Sequence, residues 1–182
     1  MRFHNITFFT YAQLEDKTQF DFVIKFSKEF ELKNDFFNIG DITNLTFGQV
    51  KEIQHKYEKG LEYSGYIDFL KEVKEIKPEE IVNTRLLDFY QSLNYLNSEV
   101  ERLNTIESKT LSHEPSSLEV RAGIDKFNVF GNFNQIAFFC EKFNWSLEYV
   151  KGLKYSDAFA FLYRDKVSND FQKNYTKLSA SK

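Results

Sequence analysis

The sequence predicts a mainly α protein, a helical bundle carrying a small N-terminal β-hairpin. Three observations carry that expectation. An apolar heptad runs unbroken through residues 82–103, helix-capping residues recur after residue 45, and the first segment alternates apolar and polar residues with period two. With 182 residues and 42% hydrophobic content, the chain is long enough for one ordinary core or two small ones.

The hairpin occupies residues 1–44, read as a β-rich N-terminal element. In "QFDFVIKF", Phe20, Phe22, Ile24 and Phe26 share one parity, the pattern of a half-buried strand. "ITFFTY" (6–11) is its partner across the polar "LEDKT". A helix from Thr18, with Asp21 as a capping-box acid, is the competing reading; the hairpin is preferred. The turn-rich "NDFFNIGDITNLT" (34–46) then reads as a connection.

Residues 45–110 form a helical region. Thr46 caps a first helix through "FGQVKEIQHKYEK", and Gly60 sits at its C-terminal cap. A second helix, "GYIDFLKEVKEI", stops before Pro78, which opens a third through "EEIVNTRLLDFYQSLNYLNSEVERLNTI". Its Val82, Leu86, Phe89, Leu93, Leu96, Val100 and Leu103 are spaced alternately by four and three, a heptad seam. Leu86, Phe89, Leu93, Leu96, Val100 and Leu103 are therefore candidates for an oligomer seam. The same pattern also suits one helix of an intramolecular bundle. The flanking positions Tyr90, Asn97, Asn104, Ser92, Arg85 and Glu99 are mostly uncharged, which favours the bundle over a solvated zipper.

"ESKTLSHEPSS" is polar and Ser-rich, and residues 111–117 read as a linker. Residues 118–178 form a C-terminal helical region. Ser117 caps "LEVRAGIDKFNVF", whose apolar face is Val120, Ile124 and Phe127. The helices "NQIAFFCEKF", "LEYVKGL" and "DAFAFLYRDKVSNDFQKNY" follow, and 179–182 reads as a frayed tail. No tandem repeat is apparent.

Chemistry-bearing patterns are sparse. His4, His55 and His113 lie far apart and Cys140 has no companion, so no metal-ligand spacing exists. The glycines at 40, 48, 60, 65, 123, 131 and 152 are too dispersed to form a phosphate cradle. No cofactor is implied. Cys140, beside Phe138 and Phe139, sits in apolar surroundings that make a thiol inert rather than nucleophilic. These features predict a non-enzyme. A net charge of −3 and a pI near 5.7 disfavour a free-standing nucleic-acid binder. Without a signal-peptide pattern or a long apolar run, the expectation is a soluble intracellular protein that does not enter a membrane.

"FFCEKFNWSLEYVKGL" (138–153) fits a helix-turn-helix frame, with Asn144 at the turn and Ser146 at the next cap. A structural corner accounts for it better than a DNA reader, whose second helix here offers only Lys151 and Lys154 beside Glu148. The aromatics around it mostly lack basic neighbours, so core or a partner-facing patch explains them better than base stacking. Phe127, Phe130, Phe133, Phe138, Trp145 and Tyr149 are the candidate partner-binding residues.

"LTFGQVKEI" (45–53), "AGIDKFNVFGNFNQIAFF" (122–139) and "YRDKVSNDFQKNY" (163–175) together resemble small helical proteins from the structural modules of tailed bacteriophages, of the tail-assembly-chaperone type. The resemblance implies a virion structural or assembly protein that binds other phage proteins or copies of itself. Its place would be the host cytoplasm during assembly, the virion, or both. A nucleic-acid-binding or regulatory module built on residues 139–153 is the alternative.

Overall fold

The computed structural model describes residues 6–29, 33–58 and 63–180. The described chain is mainly helical and has no sheet. Helices α1 (Phe8–Ala12), α2 (Thr18–Glu29), α3 (Phe47–Glu58), α4 (Tyr63–Glu72), α5 (Pro78–Asn83) and α6 (Leu86–Leu111) are followed by α7 (Ser117–Ala122), α8 (Phe133–Phe143), α9 (Leu147–Gly152) and α10 (Tyr155–Ala180). Single 3₁₀ helices occupy Ile42–Asn44 and Ile124–Phe130. Two compact units emerge, one from residues 1–42 and 56–102, the other from 43–55 and 103–182. Residues 111–117 lie inside the second unit, and α6 contributes to both.

The N-terminal β-hairpin is overturned. Residues 8–12 and 18–29 are helical, and Asp16 caps α2 by accepting from the Thr18 backbone N–H at 2.9 Å and its hydroxyl at 2.6 Å. Inward positions are Phe20 and Ser27, with Val23 and Ile24 half-buried; that is the i, i+3, i+4, i+7 spacing of a helix, which shares Phe20 and Ile24 with the alternating pattern. Residues 6–8 do pair, with a distant partner. The Phe8 N–H donates to the Thr84 carbonyl at 2.8 Å and the Leu86 N–H to the Ile6 carbonyl at 2.9 Å, making one antiparallel bridge, Thr7 to Arg85. That bridge holds Thr84 extended (ψ 141), so the single long helix expected from Pro78 is divided into α5 and α6.

All six candidate seam residues on α6 are buried within the chain. Leu86, Phe89, Leu93, Leu96, Val100 and Leu103 are each at most 6% exposed. Phe89 stacks on Phe8 at 4.2 Å between ring centres and meets Tyr66 edge-on at 5.2 Å. The seam is an intramolecular core, so its residues are not available as an oligomer seam.

Thr46 caps α3 as expected. The Gln49 N–H donates to its hydroxyl at 3.3 Å while the Gln49 side chain accepts from the Thr46 N–H at 3.0 Å, a reciprocal capping box. The expected cap at Gly60 lies outside the described residues. Ser116, not Ser117, caps α7, with Glu119 completing the box. The helix expected through Val120, Ile124 and Phe127 ends at Ala122, because Gly123 adopts φ 88 and the chain continues as a 3₁₀ helix. Nothing in 117–130 is buried. Residues 179–180, expected to fray, belong to α10.

An internal repeat relates the two units. Pro78–Asn83 matches Leu147–Gly152, and Leu86–Leu111 matches Tyr155–Ala180, with one constant shift in residue number. The left-handed residues Glu75 and Asn144, both at φ 55, obey the same shift. So do the bridge residues Arg85 and Lys154, the latter paired with Thr46. There the Phe47 N–H donates to the Leu153 carbonyl at 2.7 Å and the Tyr155 N–H to the Leu45 carbonyl at 3.1 Å, the register seen in the first unit. Buried pairs follow: Leu70 with Phe139, Ile81 with Val150, Leu86 with Tyr155, Phe89 with Ala158. Identities are confined to scattered positions such as Phe69 and Phe138, Asp88 and Asp157, and Leu93 and Leu162.

Candidate interaction surface

The centre of the second unit is the aromatic corner between α8 and α9. Asn144 closes α8 in the left-handed region (φ 55, ψ 38), where Asn is tolerated better than other side chains. Ser146 then caps α9, its hydroxyl accepting from the Tyr149 N–H at 3.2 Å. The reversal folds Trp145 over Phe143 and Phe139, with ring centres 4.8 and 6.0 Å apart. Phe161 meets all three rings edge-on and Phe47 meets Phe139 at 5.7 Å. These offset and edge-to-face geometries add to the stabilisation from burial alone. Cys140 is half-buried on α8 with a free thiol.

A buried polar network lies beside this corner. Lys51, 3% exposed, places its ammonium 2.7 Å from both oxygens of Glu107. Glu107 also accepts from the Tyr155 hydroxyl at 2.5 Å, and Gln54 donates to Asn104 at 2.8 Å. The ammonium lies over the Phe47 and Tyr155 rings, 5.5 and 5.9 Å from their centres. A desolvated cation is tolerable here because a carboxylate and two ring faces meet it. The network thus ties α3 and the end of α6 to the start of α10.

The six candidate partner-binding residues divide. Phe127, Phe130, Phe133 and Tyr149 are exposed, whereas Phe138 and Trp145 are half-buried in the corner. The 3₁₀ period of three aligns Phe127 and Phe130 along one edge. Phe130, Phe133 and Ile136 line a groove of about 490 Å³ with Thr46, Gln49 and Lys151. Sequence reasoning missed Leu118 and Val129, 73% and 82% exposed. It also missed the outward face of α10, where Tyr163, Val167, Phe171, Tyr175 and Leu178 are all exposed. Their spacing of four, four, four and three was the available signal.

A second cavity of about 620 Å³ separates α10 from the start of α7 and from α8. Its α10 wall is Leu162, Asp165, Lys166, Asn169, Asp170, Gln172 and Lys173, facing His113, Glu119, Asn134 and Gln135. His113 Nε2 is 3.1 Å from the Glu119 carboxylate. The Ser116 backbone N–H, then its hydroxyl, hold the Glu119 carboxyl well below its ordinary range, at about 2. The charges on these walls are mixed in sign, and among the described residues no three of His, Cys, Asp and Glu converge as metal ligands. Nor is any described helix long and apolar enough to cross a membrane.

As a DNA reader the corner is poorly built. α9 runs only from Leu147 to Gly152 and Val150 is buried. Lys151 packs its stem so closely on α3 that a Cβ at Gly48 would stand 2.8 Å from the Lys151 Cβ. No family model matches this chain, and neither a curated protein nor a solved structure matches it.

Proposed function

We propose that this chain is a non-enzymatic structural or assembly protein of a tailed bacteriophage, of the tail-assembly-chaperone type, acting through protein–protein contacts. The carrying observation is the apolar surface of the second unit. Phe127, Val129, Phe130 and Phe133 on one segment, and Tyr163, Val167, Phe171 and Tyr175 on another, are exposed in a helical unit whose core is the aromatic corner around Phe139. Exposed apolar residues concentrated this way mark interaction surfaces, because water contact there is unfavourable and a partner removes it. Phe and Tyr suit this role, since they bury large areas while ordering few rotatable bonds. The phage setting rests on the resemblance of residues 45–53, 122–139 and 163–175.

The test is genetic. A stop codon early in this reading frame, in a tailed phage that carries it, should abolish plaques while DNA replication continues. Electron microscopy should then show filled heads without tails. Normal tailed particles from the disrupted phage would refute the proposal.

A further inference from the structure

The internal repeat shows what has changed on α10. α6 buries Leu93, Leu96 and Val100 in the first unit and Leu103 just beyond it. Their counterparts on α10, at the same shift in number, are Leu162, Asp165, Asn169 and Gln172, which line the open 620 Å³ cavity. The face next to that seam has changed in the opposite sense. Asn94, Ser98, Arg102 and Lys109 of α6 correspond to Tyr163, Val167, Phe171 and Leu178 of α10, while the fifth stripe residue, Tyr175, stands where α6 already has the apolar Ile106. At three inward positions α10 has therefore exchanged apolar for polar residues, and at four positions of the neighbouring face polar for apolar ones. Scattered surface apolar residues need no explanation, but a stripe exchanged with the core face does.

The first unit also shows what fits such a face. There α2 lies against α6, with the Asn94 side chain donating to Ser27 at 3.0 Å. Tyr163, the counterpart of Asn94, begins the α10 stripe, and among the described residues the second unit has no counterpart of α2 to cover it. Residues 167–180 are exposed on every side. A helical stretch of that length is marginal in water without tertiary support.

We propose that α10 pairs with α10 of a second copy of this chain, antiparallel, about a twofold axis near Phe171. This deepens the protein–protein reading above by naming the partner of one of its surfaces. Phe171 lies at the middle of the Tyr163–Leu178 stripe, so a twofold axis there sets each stripe against the other along its whole length. From the exposures of these five residues the stripe offers roughly 500 Å² per copy, taking roughly 150–200 Å² for each full side chain. A pair then buries roughly 1,000 Å², the lower bound for a specific interface and the range of weak, reversible ones. A closed twofold pair is also the commonest way for one surface to satisfy itself.

Sedimentation of the full chain over rising concentration tests this, with far-UV circular dichroism reporting the fold. The wild type should show a reversible monomer–dimer equilibrium. Phe171→Glu and Phe171→Lys should each be monomeric alone and should recover the dimer when mixed, since the two side chains meet across the axis. Phe127→Glu with Phe130→Glu should leave the dimer intact. A wild type that stays monomeric, or that grows beyond a dimer, would overturn the pairing. So would charge variants that dimerise alone or fail to recover on mixing, and so would loss of the dimer in the Phe127/Phe130 variant. None of these results bears on the gene disruption, which judges the assembly reading by itself.

Discussion

Replacing Phe139 by alanine removes the ring around which the aromatic corner is organised. Phe139 is fully buried and has five aromatic neighbours: Phe47, Phe138, Phe143, Trp145 and Phe161. A buried Phe→Ala substitution costs about 3–5 kcal/mol, the spread reflecting how far the surroundings collapse into the space. Collapse is hindered here because Phe47 and Phe161 come from α3 and α10, whose starts are tied together by the Thr46–Lys154 bridge, and Trp145 from a reversal held by the Ser146 cap. The upper half of the range, about 4–5 kcal/mol, is therefore expected. Trp145, the only tryptophan, stacks on Phe139 with an interplanar angle of 6°, so its fluorescence reports this unit alone during urea unfolding. With a urea dependence of about 2 kcal/mol per molar, the fluorescence midpoint should fall by about 2 M. A loss below about 1 kcal/mol, with native Trp145 emission retained, would refute the packing argument.

Two further substitutions follow from the geometry. Gly48→Ala should destabilise the α3–α9 contact by about 1–3 kcal/mol, as overpacking does, because the new Cβ would stand 2.8 Å from the Lys151 Cβ and 3.1 Å from its carbonyl oxygen; thermal unfolding followed by Trp145 fluorescence measures it. The α7 capping box carries a pH dependence whose sign follows from the lowered carboxyl of Glu119. Its contribution is complete above the ordinary value of 4.5 and is lost as pH falls through about 2. A carboxyl-carbon NMR titration should place the Glu119 midpoint near 2, and Ser116→Ala should move it upward.

How much of this was legible in the sequence depends on where each element's backbone partners lie. The caps of α3 and α9 were readable from Thr46 and Ser146, since a cap is satisfied by groups three residues away. The left-handed turn at Asn144 was readable from residue type, since Asn tolerates that conformation better than most side chains. Thr84, by contrast, is drawn out of the helix by the pairing of its carbonyl with the Phe8 N–H and of the Leu86 N–H with Ile6, and nothing near Thr84 announces those partners. Residues 20–27 failed differently, because two patterns overlap there: Phe20 and Ile24 belong both to the alternating set and to the helical set with Val23 and Ser27. The candidate surface was half readable. Phe127, Phe130, Phe133 and Tyr149 stand out by residue type, but Phe138 and Trp145 share that type and are half-buried in the corner.

The repeat marks the boundary most clearly. Its two halves agree in helix length, turn position and bridge register while sharing only scattered identities such as Leu93 and Leu162. Composition and periodicity were enough to specify a helical chain with a continuous apolar seam on α6, because helices satisfy their own backbone and reveal their buried face by spacing. Which α10 face points inward was decided only by tertiary structure. The Thr46–Lys154 bridge fixes the rotation with which α10 starts, and that rotation turns Asp165 and Asn169 toward the cavity and Phe171 toward solvent.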